Sequence, residues 1–209
     1  MIGAADTLSN YRHAMDEKDQ DSLLEAIRLE GERLDRYIQN LLDMTRLGHD
    51  GLSLKRDWIG VDELIGSAVR RLKRYMPKAQ VTVHLPEAAP SLYVHAALIE
   101  QAVFNVLENA AKFSPEHLPV TVDVAEMDSA QIEIAISDQG QGIPEDERSR
   151  IFDMFYTMER GDRGQYGTGL GLTIVKAIVG AHMGQISASS GKNGKGTCIR
   201  IVLPIQQNG

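Results

Sequence analysis

The spacing of hydrophobic residues changes along the chain, and each spacing predicts a different element. Residues 1–47 place apolar side chains at three- and four-residue steps, which is the spacing of helices with one apolar face. A polar break at Asp16–Asp19 divides this stretch, so we expect two helices joined as a hairpin, with Asp21 or Ser22 capping the second. Such a hairpin cannot bury its apolar stripes alone. It needs the following domain or a second copy of the chain as a partner.

After the hairpin, helical and two-residue periods alternate. Glycines at 48 and 51 end the second helix, so we place a domain boundary there and expect a second domain over residues 52–205. The predicted helices are Val61–Arg74, Ala96–Phe113 and Gly171–Ala181. The predicted strands are Leu52–Leu54, Val81–Leu85, Leu92–Val94, Val120–Ala125, Gln131–Ser137, Gln185–Ser190 and Thr197–Leu203. This order predicts an α+β fold, a two-layer sandwich with helices on one face of a mixed, largely antiparallel sheet.

Composition narrows the class of protein. The 209 residues are 43% hydrophobic and 24% charged, as in an ordinary globular protein. A net charge of −7 without a basic block argues against a nucleic-acid partner. The single cysteine, Cys198, excludes an internal disulfide. No apolar run reaches the roughly 20 residues that span a bilayer, and no signal peptide is evident, so we expect a cytoplasmic chain without membrane contact of its own.

The helix Ala96–Phe113 carries a polar ridge opposite its apolar face. Asn105, Glu108, Asn109 and Lys112 follow one another at three- and four-residue steps and therefore share one side. Carboxamide oxygens can ligate Mg²⁺, and a lysine offers positive charge to phosphate. A solvated face with a Glu108–Lys112 pair contributing about 0.2–0.5 kcal/mol is the simpler alternative. Asparagine is a poor helix former, however, so two of them at this spacing require another reason.

Two glycine clusters enclose a polar run, residues 159–165. In the first cluster Asp138 ends a strand and precedes Gly140 and Gly142. A carboxylate there could accept a hydrogen bond from an exocyclic amine such as that of adenine, although the same residues also suit an ordinary turn. The second cluster, Gly167–Leu172, precedes a helix, and the backbone amides at a helix start suit phosphate.

Two other features of this region have structural interpretations. We expect Phe152 and Phe155 to anchor the base of the loop in the core. The segment from Gly191 to Gly196 superficially resembles a P-loop, but Thr197 and a strand follow it where that motif needs Lys, then Ser or Thr, and a helix. The second glycine cluster does not have the Gly-x-Gly-x-x-Gly pattern and no strand precedes it, so a dinucleotide-binding fold is not expected either.

Together, the motifs resemble the catalytic, ATP-binding part of sensor histidine kinases, in the GHKL superfamily of gyrase, Hsp90, histidine kinase and MutL ATPases. Four motifs occur in the family's order over about residues 52–205: the N box at Asn105–Phe113, the first glycine box at Asp138–Ile143, the F box at Phe152–Phe155 and the second glycine box at Gly167–Leu172. Residues 1–47 resemble the later portion of the dimerisation and phosphotransfer hairpin. Residues 46–59 resemble those of KdpD-type potassium and osmotic sensor kinases.

The resemblance implies a Bergerat-type site for ATP and Mg²⁺. Asp138 would bind the adenine amine with Thr197 behind it. Asn109 and Asn105 would hold Mg²⁺, Lys112 would contact phosphate and Glu108 would activate the attacking group. The resemblance also implies nucleotide contacts at Phe113, Gly140, Gly142, Ile143, Gly167, Thr168, Gly169, Leu170, Gly171 and Leu172. Residues 156–167 would form the lid, and the metal would bridge phosphates in the transfer.

The family phosphorylates a histidine in a His-Glu/Asp-x-x-Thr/Pro context on the first hairpin helix. None of the six histidines has this context, and His13 is followed by Ala-Met-Asp. We therefore expect a truncated hairpin that lacks the acceptor, so that the chain binds Mg-ATP without phosphorylating itself at the family's position.

The resemblance also implies partners and leaves alternatives open. The γ-phosphate would pass to a histidine outside this chain and then to an aspartate of an OmpR-like response regulator. The full-length protein would self-associate through the hairpin and be anchored in the membrane. Three alternatives use the same nucleotide site: an ATPase in which Glu108 activates water, a serine kinase that regulates a protein partner, and a non-catalytic binding module.

Overall fold

The structure is a computed structural model that describes residues 7–10, 15–25, 27–28, 31, 55–128, 130–157 and 169–205. The chain divides into two compact units, Met1–Thr45 and Arg46–Gly209. The boundary predicted at residues 48–51 and the strand predicted at 52–54 lie outside the described residues. Across the described part of the chain, no helix is long and apolar enough to cross a membrane.

In the first unit, residues 7–10, 17–25 and 27–28 are helical. The prediction that Asp21 or Ser22 caps the second helix is wrong, because both residues lie inside it. Asp16 is the cap: its Oδ1 accepts a hydrogen bond from the backbone N–H of Asp19 at 2.8 Å. The acidic residues of the predicted break thus form the start of the helix, where a carboxylate satisfies backbone donors that have no partner within the helix.

The second unit is built from strands and helices whose bounds follow the predicted order closely. The strands are β1 Asp57–Gly60, β2 Val81–His84, β3 Ser91–Val94, β4 Val120–Asp128, β5 Gln131–Ser137, β6 Gln185–Ser190 and β7 Thr197–Pro204. The α-helices are α1 Val61–Tyr75, α2 Ala96–Phe113 and α3 Gly171–Ala181. Short 3₁₀ turns, which were not predicted, occur at Glu145–Glu147, Arg150–Phe152 and Lys192–Gly194.

Five strands form one sheet in the order β2-β4-β5-β7-β6. The β2–β4 pair is parallel and the other pairs of this sheet are antiparallel. The predicted mixed, largely antiparallel sheet is therefore confirmed. The unpredicted strand β1 pairs with β3 in a separate two-stranded sheet, on which the rings of Trp58 and Tyr93 lie with centroids 5.5 Å apart.

The helices pack on the sheet and on one another, with α2 contacting both α1 and α3. On the sheet side, Ile132, Ile134 and Ile136 of β5 are buried at alternate positions. The apolar face of α2 is also shielded from solvent, since Val103 and Leu107 are fully buried. Full burial of such side chains contributes about 1.5–3 kcal/mol each. This packing fixes α2 rigidly, and α2 presents the predicted polar ridge on its other side.

Candidate functional site

Asp138 follows directly after β5 and is held by the neighbouring strand β7. The Asp138 carboxylate oxygen Oδ1 accepts hydrogen bonds from the backbone N–H of Gly140 at 2.8 Å and of Thr197 at 3.1 Å. In the main chain, Asp138 N–H donates to the Thr197 carbonyl at 2.9 Å. The predicted association of Asp138 with Thr197 is thus present, and the sheet register sets the direction of the carboxylate.

The environment of the Asp138 carboxyl group favours a ligand that donates a hydrogen bond. Burial raises its pKa above the ordinary aspartate value, and the hydrogen bonds from Gly140 and Thr197 lower it by less. A carboxylate that has lost part of its hydration gains most from a new N–H donor, which stabilises the charged form. The adenine amine predicted to bind here is such a donor.

Close backbone approaches surround this carboxylate. A Cβ atom on Gly140 would lie 2.5 Å from the carbonyl oxygen of Phe113, at the end of α2. Gly196 has φ +68°, and a Cβ there would lie 2.1 Å from the Asp138 carbonyl oxygen. Only glycine permits this combination of positive φ and close contact. The Gly196 contact was not predicted, although Gly196 directly precedes Thr197 in the segment compared with a P-loop.

The neighbouring positions of the first glycine box are also fixed. The Phe113 side chain is 49% exposed, so its ring can contact a ligand. The hydroxyl of Ser114 accepts a hydrogen bond from Gln139 N–H at 3.0 Å, which ties the box to the end of α2. Arg148 donates from Nε to the Ile143 carbonyl at 3.1 Å and from Nη2 to Ser190 Oγ at 2.8 Å. No spacing in the sequence singles out Ser114 or Arg148.

The polar ridge on α2 runs from buried to exposed. Asn105 is only 6% exposed, Glu108 and Asn109 are half-buried, and Lys112 is exposed. A plain solvated face does not account for this gradient. Near the buried end, Asn105 Nδ2 donates to the carbonyl of Gly171 at 3.4 Å. The ridge therefore faces the start of α3, which is the described part of the second glycine box.

Asn109 also lies near the position where α3 begins. A Cβ atom on Gly171 would lie 3.9 Å from Asn109 Nδ2, in ordinary contact. Asn105 has both polar side-chain atoms bonded within the protein, because its Oδ1 accepts from Gln101 Nε2 at 2.8 Å while Nδ2 donates to Gly171. Its Oδ1 retains a second lone pair.

The donor set of the ridge is compatible with Mg²⁺ bound together with phosphate. Mg²⁺ takes oxygen ligands, keeps several waters and relies on few protein groups when phosphates are present. The carboxamide oxygens of Asn105 and Asn109 suit that mode. Among the described residues no cluster of three or more His, Cys, Asp or Glu side chains could hold a metal ion. The ridge thus offers oxygen ligands of the kind used by a metal that is bound together with phosphate.

The base of the predicted lid is closed by a backbone contact. Phe155 N–H donates to the Gly169 carbonyl at 3.1 Å. Phe152 is buried at 6% exposure, as predicted, but the prediction that Phe155 also anchors the loop in the core is wrong, because its side chain is 66% exposed. The positive φ of Phe155, 62°, directs its backbone to Gly169 and leaves the ring outside.

The remaining positions of the second glycine box are only partly described. Leu170 is buried and its carbonyl accepts the first helical hydrogen bond, from Ile174 N–H at 3.0 Å. Gly171 and Leu172 are half-buried at the start of α3. Gly167, Thr168 and most of the predicted lid lie outside the described residues.

The chain belongs to the family described as histidine kinase-, DNA gyrase B-, and HSP90-like ATPase, whose model matches residues 94–207. Among curated relatives, the sensor protein KdpD of Clostridium acetobutylicum is 36% identical over 203 residues, which are 97% of this chain and 22% of the relative. KdpD of Escherichia coli (strain K12) is 35% identical over 173 residues, which are 82% of this chain and 19% of the relative. The chain thus spans about a fifth of the length of these relatives.

Solved structures agree with this assignment. The mycobacterial sensor histidine kinase MprB superposes with a TM-score of 0.62 at 33% identity, covering 71% of this chain and 97% of that one. Full-length ShkA in complex with AMPPNP superposes with a TM-score of 0.75 at 23% identity, covering 91% of this chain and 40% of that one, which shows a shared fold. The predicted family and fold are therefore confirmed: the second unit is the catalytic, ATPase-type domain of a protein-histidine kinase.

Proposed function

We propose that the second unit binds Mg-ATP with adenine at Asp138 and the phosphates between the α2 ridge and the start of α3, and that it transfers the γ-phosphate to a histidine outside this chain. The observation that carries the proposal is the Asp138 carboxylate, half-buried and oriented by backbone N–H groups of Gly140 and Thr197. A carboxylate held in this way is prepared for an N–H donor before the ligand arrives.

At the adenine end, the chain's own groups bind and orient the base. Asp138 accepts a hydrogen bond from the exocyclic amine, while Thr197 keeps the carboxylate in place. The absence of a side chain at Gly140 keeps the backbone close to the end of α2, as the 2.5 Å approach to Phe113 requires. The half-exposed Phe113 ring covers one side of the base, and Gly142 and Ile143 continue the wall.

At the phosphate end, the ridge supplies oxygen ligands and positive charge. Asn109, with Asn105, would hold Mg²⁺, which neutralises charge on the phosphate oxygens when bound. Lys112 contacts phosphate, and Glu108 activates the attacking group. The backbone N–H groups at the start of α3, next to Gly171, offer further donors to an anion. Gly167, Thr168, Gly169, Leu170 and Leu172 complete the phosphate side in this proposal.

The relatives also support a proposal for the wider role. We propose a KdpD-type sensor kinase in which residues 1–47 are part of the dimerisation hairpin. Its partner would be a response regulator of the OmpR-like kind, which receives the phosphate on an aspartate. The domain would act in the cytoplasm while the full-length kinase is anchored in the membrane. The alternatives of a free-standing ATPase or a serine kinase are not favoured, since relatives such as WalK of Bacillus subtilis are sensor histidine kinases.

The transfer step can be tested by supplying the acceptor separately. We expect the chain, incubated with γ-labelled ATP and Mg²⁺, to incorporate no acid-labile phosphate. Adding a hairpin that carries a histidine in the family's context is expected to yield label that is stable to base and lost in acid. Label on serine would contradict the proposal, and so would free phosphate released at the same rate with and without the hairpin.

A further inference from the structure

We infer that Arg71 and Gln101 are positioning residues of the nucleotide site, which act by fixing the orientation of the Asn105 carboxamide against Gly171. This inference rests on the proposed function. It concerns two side chains that lie away from the predicted motif positions and reach the site only through Asn105.

Three hydrogen bonds connect α1 to the start of α3. Arg71 Nη1 donates to Gln101 Oε1 at 2.6 Å. Gln101 Nε2 donates to Asn105 Oδ1 at 2.8 Å, one helical turn further along α2. Asn105 Nδ2 then donates to the carbonyl of Gly171 at 3.4 Å. We call these four groups the amide relay.

The chemistry of the two ends determines the direction of every bond in the amide relay. A guanidinium group only donates hydrogen bonds, and a backbone carbonyl only accepts them. The two carboxamides between them could each be rotated by half a turn, but only one orientation of each satisfies all three bonds. Arg71 therefore sets Gln101, and Gln101 sets Asn105.

The start of the amide relay is itself firmly held. The Arg71 guanidinium carbon lies 4.0 Å from the ring centroid of Phe104, which is 6% exposed, and Arg71 Nη1 lies 3.4 Å from Glu100 Oε2. Such stacking keeps a guanidinium in one plane. A positioning group needs this rigidity, because its effect on Asn105 is only as precise as its own placement.

The far end of the amide relay lies where the proposed phosphate site needs precision. Gly171 is the first residue of α3, and Asn105 belongs to the ridge that is proposed to hold Mg²⁺. A carboxamide rotated by half a turn would set its oxygen against the Gly171 carbonyl, and two acceptors repel. The relay thus fixes the separation of the ridge from the helix start. It also holds one lone pair of Asn105 Oδ1 on Gln101, so that the second lone pair, which is left for Mg²⁺, keeps a single direction. Its loss should weaken the metal-dependent part of nucleotide binding.

The test is the near-isosteric variant Gln101→Glu. A carboxylate can accept from Arg71 but cannot donate to Asn105, so it reverses one bond while keeping size and packing. We expect calorimetric affinity for Mg-ADP to fall about tenfold and affinity for ADP in EDTA to stay within about twofold. The matched control is Glu100→Gln, which alters the other contact of Arg71 outside the relay; we expect it to bind Mg-ADP like the unaltered chain.

A second readout needs no nucleotide. The side-chain NH₂ resonances of Asn105, assigned with Asn105→Asp, are expected to shift in Gln101→Glu and in Arg71→Met but not in Glu100→Gln. Unshifted resonances, or Mg-ADP affinity unchanged in Gln101→Glu while Asp138→Asn weakens binding at least about tenfold, would overturn the relay and leave the proposed function intact. An unaltered chain that binds no nucleotide but shows the expected resonance shifts would instead contradict the proposed function.

Discussion

Replacing Gly196 by alanine has two effects near the Asp138 carboxylate: it strains the backbone at a positive φ, and it brings a Cβ atom into contact with Asp138. Comparison with Gly194→Ala separates these two effects. Gly196 and Gly194 belong to the same loop and both have positive φ, +68° and +75°. A Cβ on Gly194 meets nothing within 4 Å, whereas a Cβ on Gly196 would lie 2.1 Å from the Asp138 carbonyl oxygen and 2.9 Å from its Oδ1. Gly194→Ala is therefore a matched control that carries the backbone strain without the clash.

The magnitudes follow from these two terms. A left-handed conformation costs a non-glycine residue about 1–2 kcal/mol, so Gly194→Ala should lose that much of the free energy of unfolding. Gly196→Ala has the same cost, and a backbone contact of 2.1 Å must also be relieved by moving Asp138 or β7. We expect an additional loss of about 1–3 kcal/mol, as for other overpacked sites.

Urea unfolding and calorimetry with Mg-ADP measure the two consequences. Gly194→Ala should lose stability while its affinity for Mg-ADP stays within about twofold, since a Cβ at Gly194 meets nothing within 4 Å and does not displace Asp138. Gly196→Ala should lose more stability and at least about tenfold in affinity, because the displaced carboxylate no longer meets the adenine amine. Equal losses of stability and equal affinities in the two variants would refute the reasoning.

Two further predictions concern the described core and the base of the lid. Burial lowers the pKa of His182 below 6.5, and its Nε2 accepts a hydrogen bond from the backbone N–H of His95 at 3.1 Å. The folded chain therefore holds the His182 imidazole in its neutral form. The free energy of unfolding that depends on neutral His182 should be fully present above pH 6.5 and should decline as pH falls through the lowered pKa. Urea unfolding of His182→Gln should lack this decline. The same dependence of the free energy of unfolding on pH in His182→Gln and in the unaltered chain would contradict the assignment. Phe152→Ala should lower the free energy of unfolding by about 3–5 kcal/mol, because its ring is buried. Phe155→Ala, at an exposed ring, should lower it by less than about 0.5 kcal/mol in the same assay. Similar losses in the two variants would contradict the different placement of the two rings.

Helices with a strong apolar period could be predicted to the residue. The bounds of α2 and α3 match the prediction, since each helix buries a continuous apolar stripe. The four-residue strand β1 was not predicted, because Asp57–Gly60 is too short to show alternation and depends on pairing with β3. Phe155 was misplaced for a related reason: a positive φ set by a partner 14 positions away leaves no local pattern.

In the candidate site, too, some residues could be predicted from the sequence and others could not. Asp138 and the asparagines of α2 could be found because each belongs to a short segment in which polar residues or glycines recur at a fixed spacing. The contacts that orient them could not, since Gly196 approaches Asp138 from the loop before β7 and Arg71 reaches Gln101 from another helix, 30 positions away in the chain. Such contacts arise only when the sheet and helices have assembled.

The central claim is that Asp138 recognises the adenine amine, and the calorimetric affinity of Asp138→Asn for Mg-ADP tests it most directly. An asparagine that keeps its oxygen towards the N–H groups of Gly140 and Thr197 must turn its own NH₂ towards the base, where two donors would meet. Hydrogen bonds to charged groups contribute about 1.5–3 kcal/mol, so we predict at least about tenfold weaker binding, with no change in Asp146→Asn, an exposed carboxylate nearby. Equal affinities of Asp138→Asn and the unaltered chain for Mg-ADP would contradict the account.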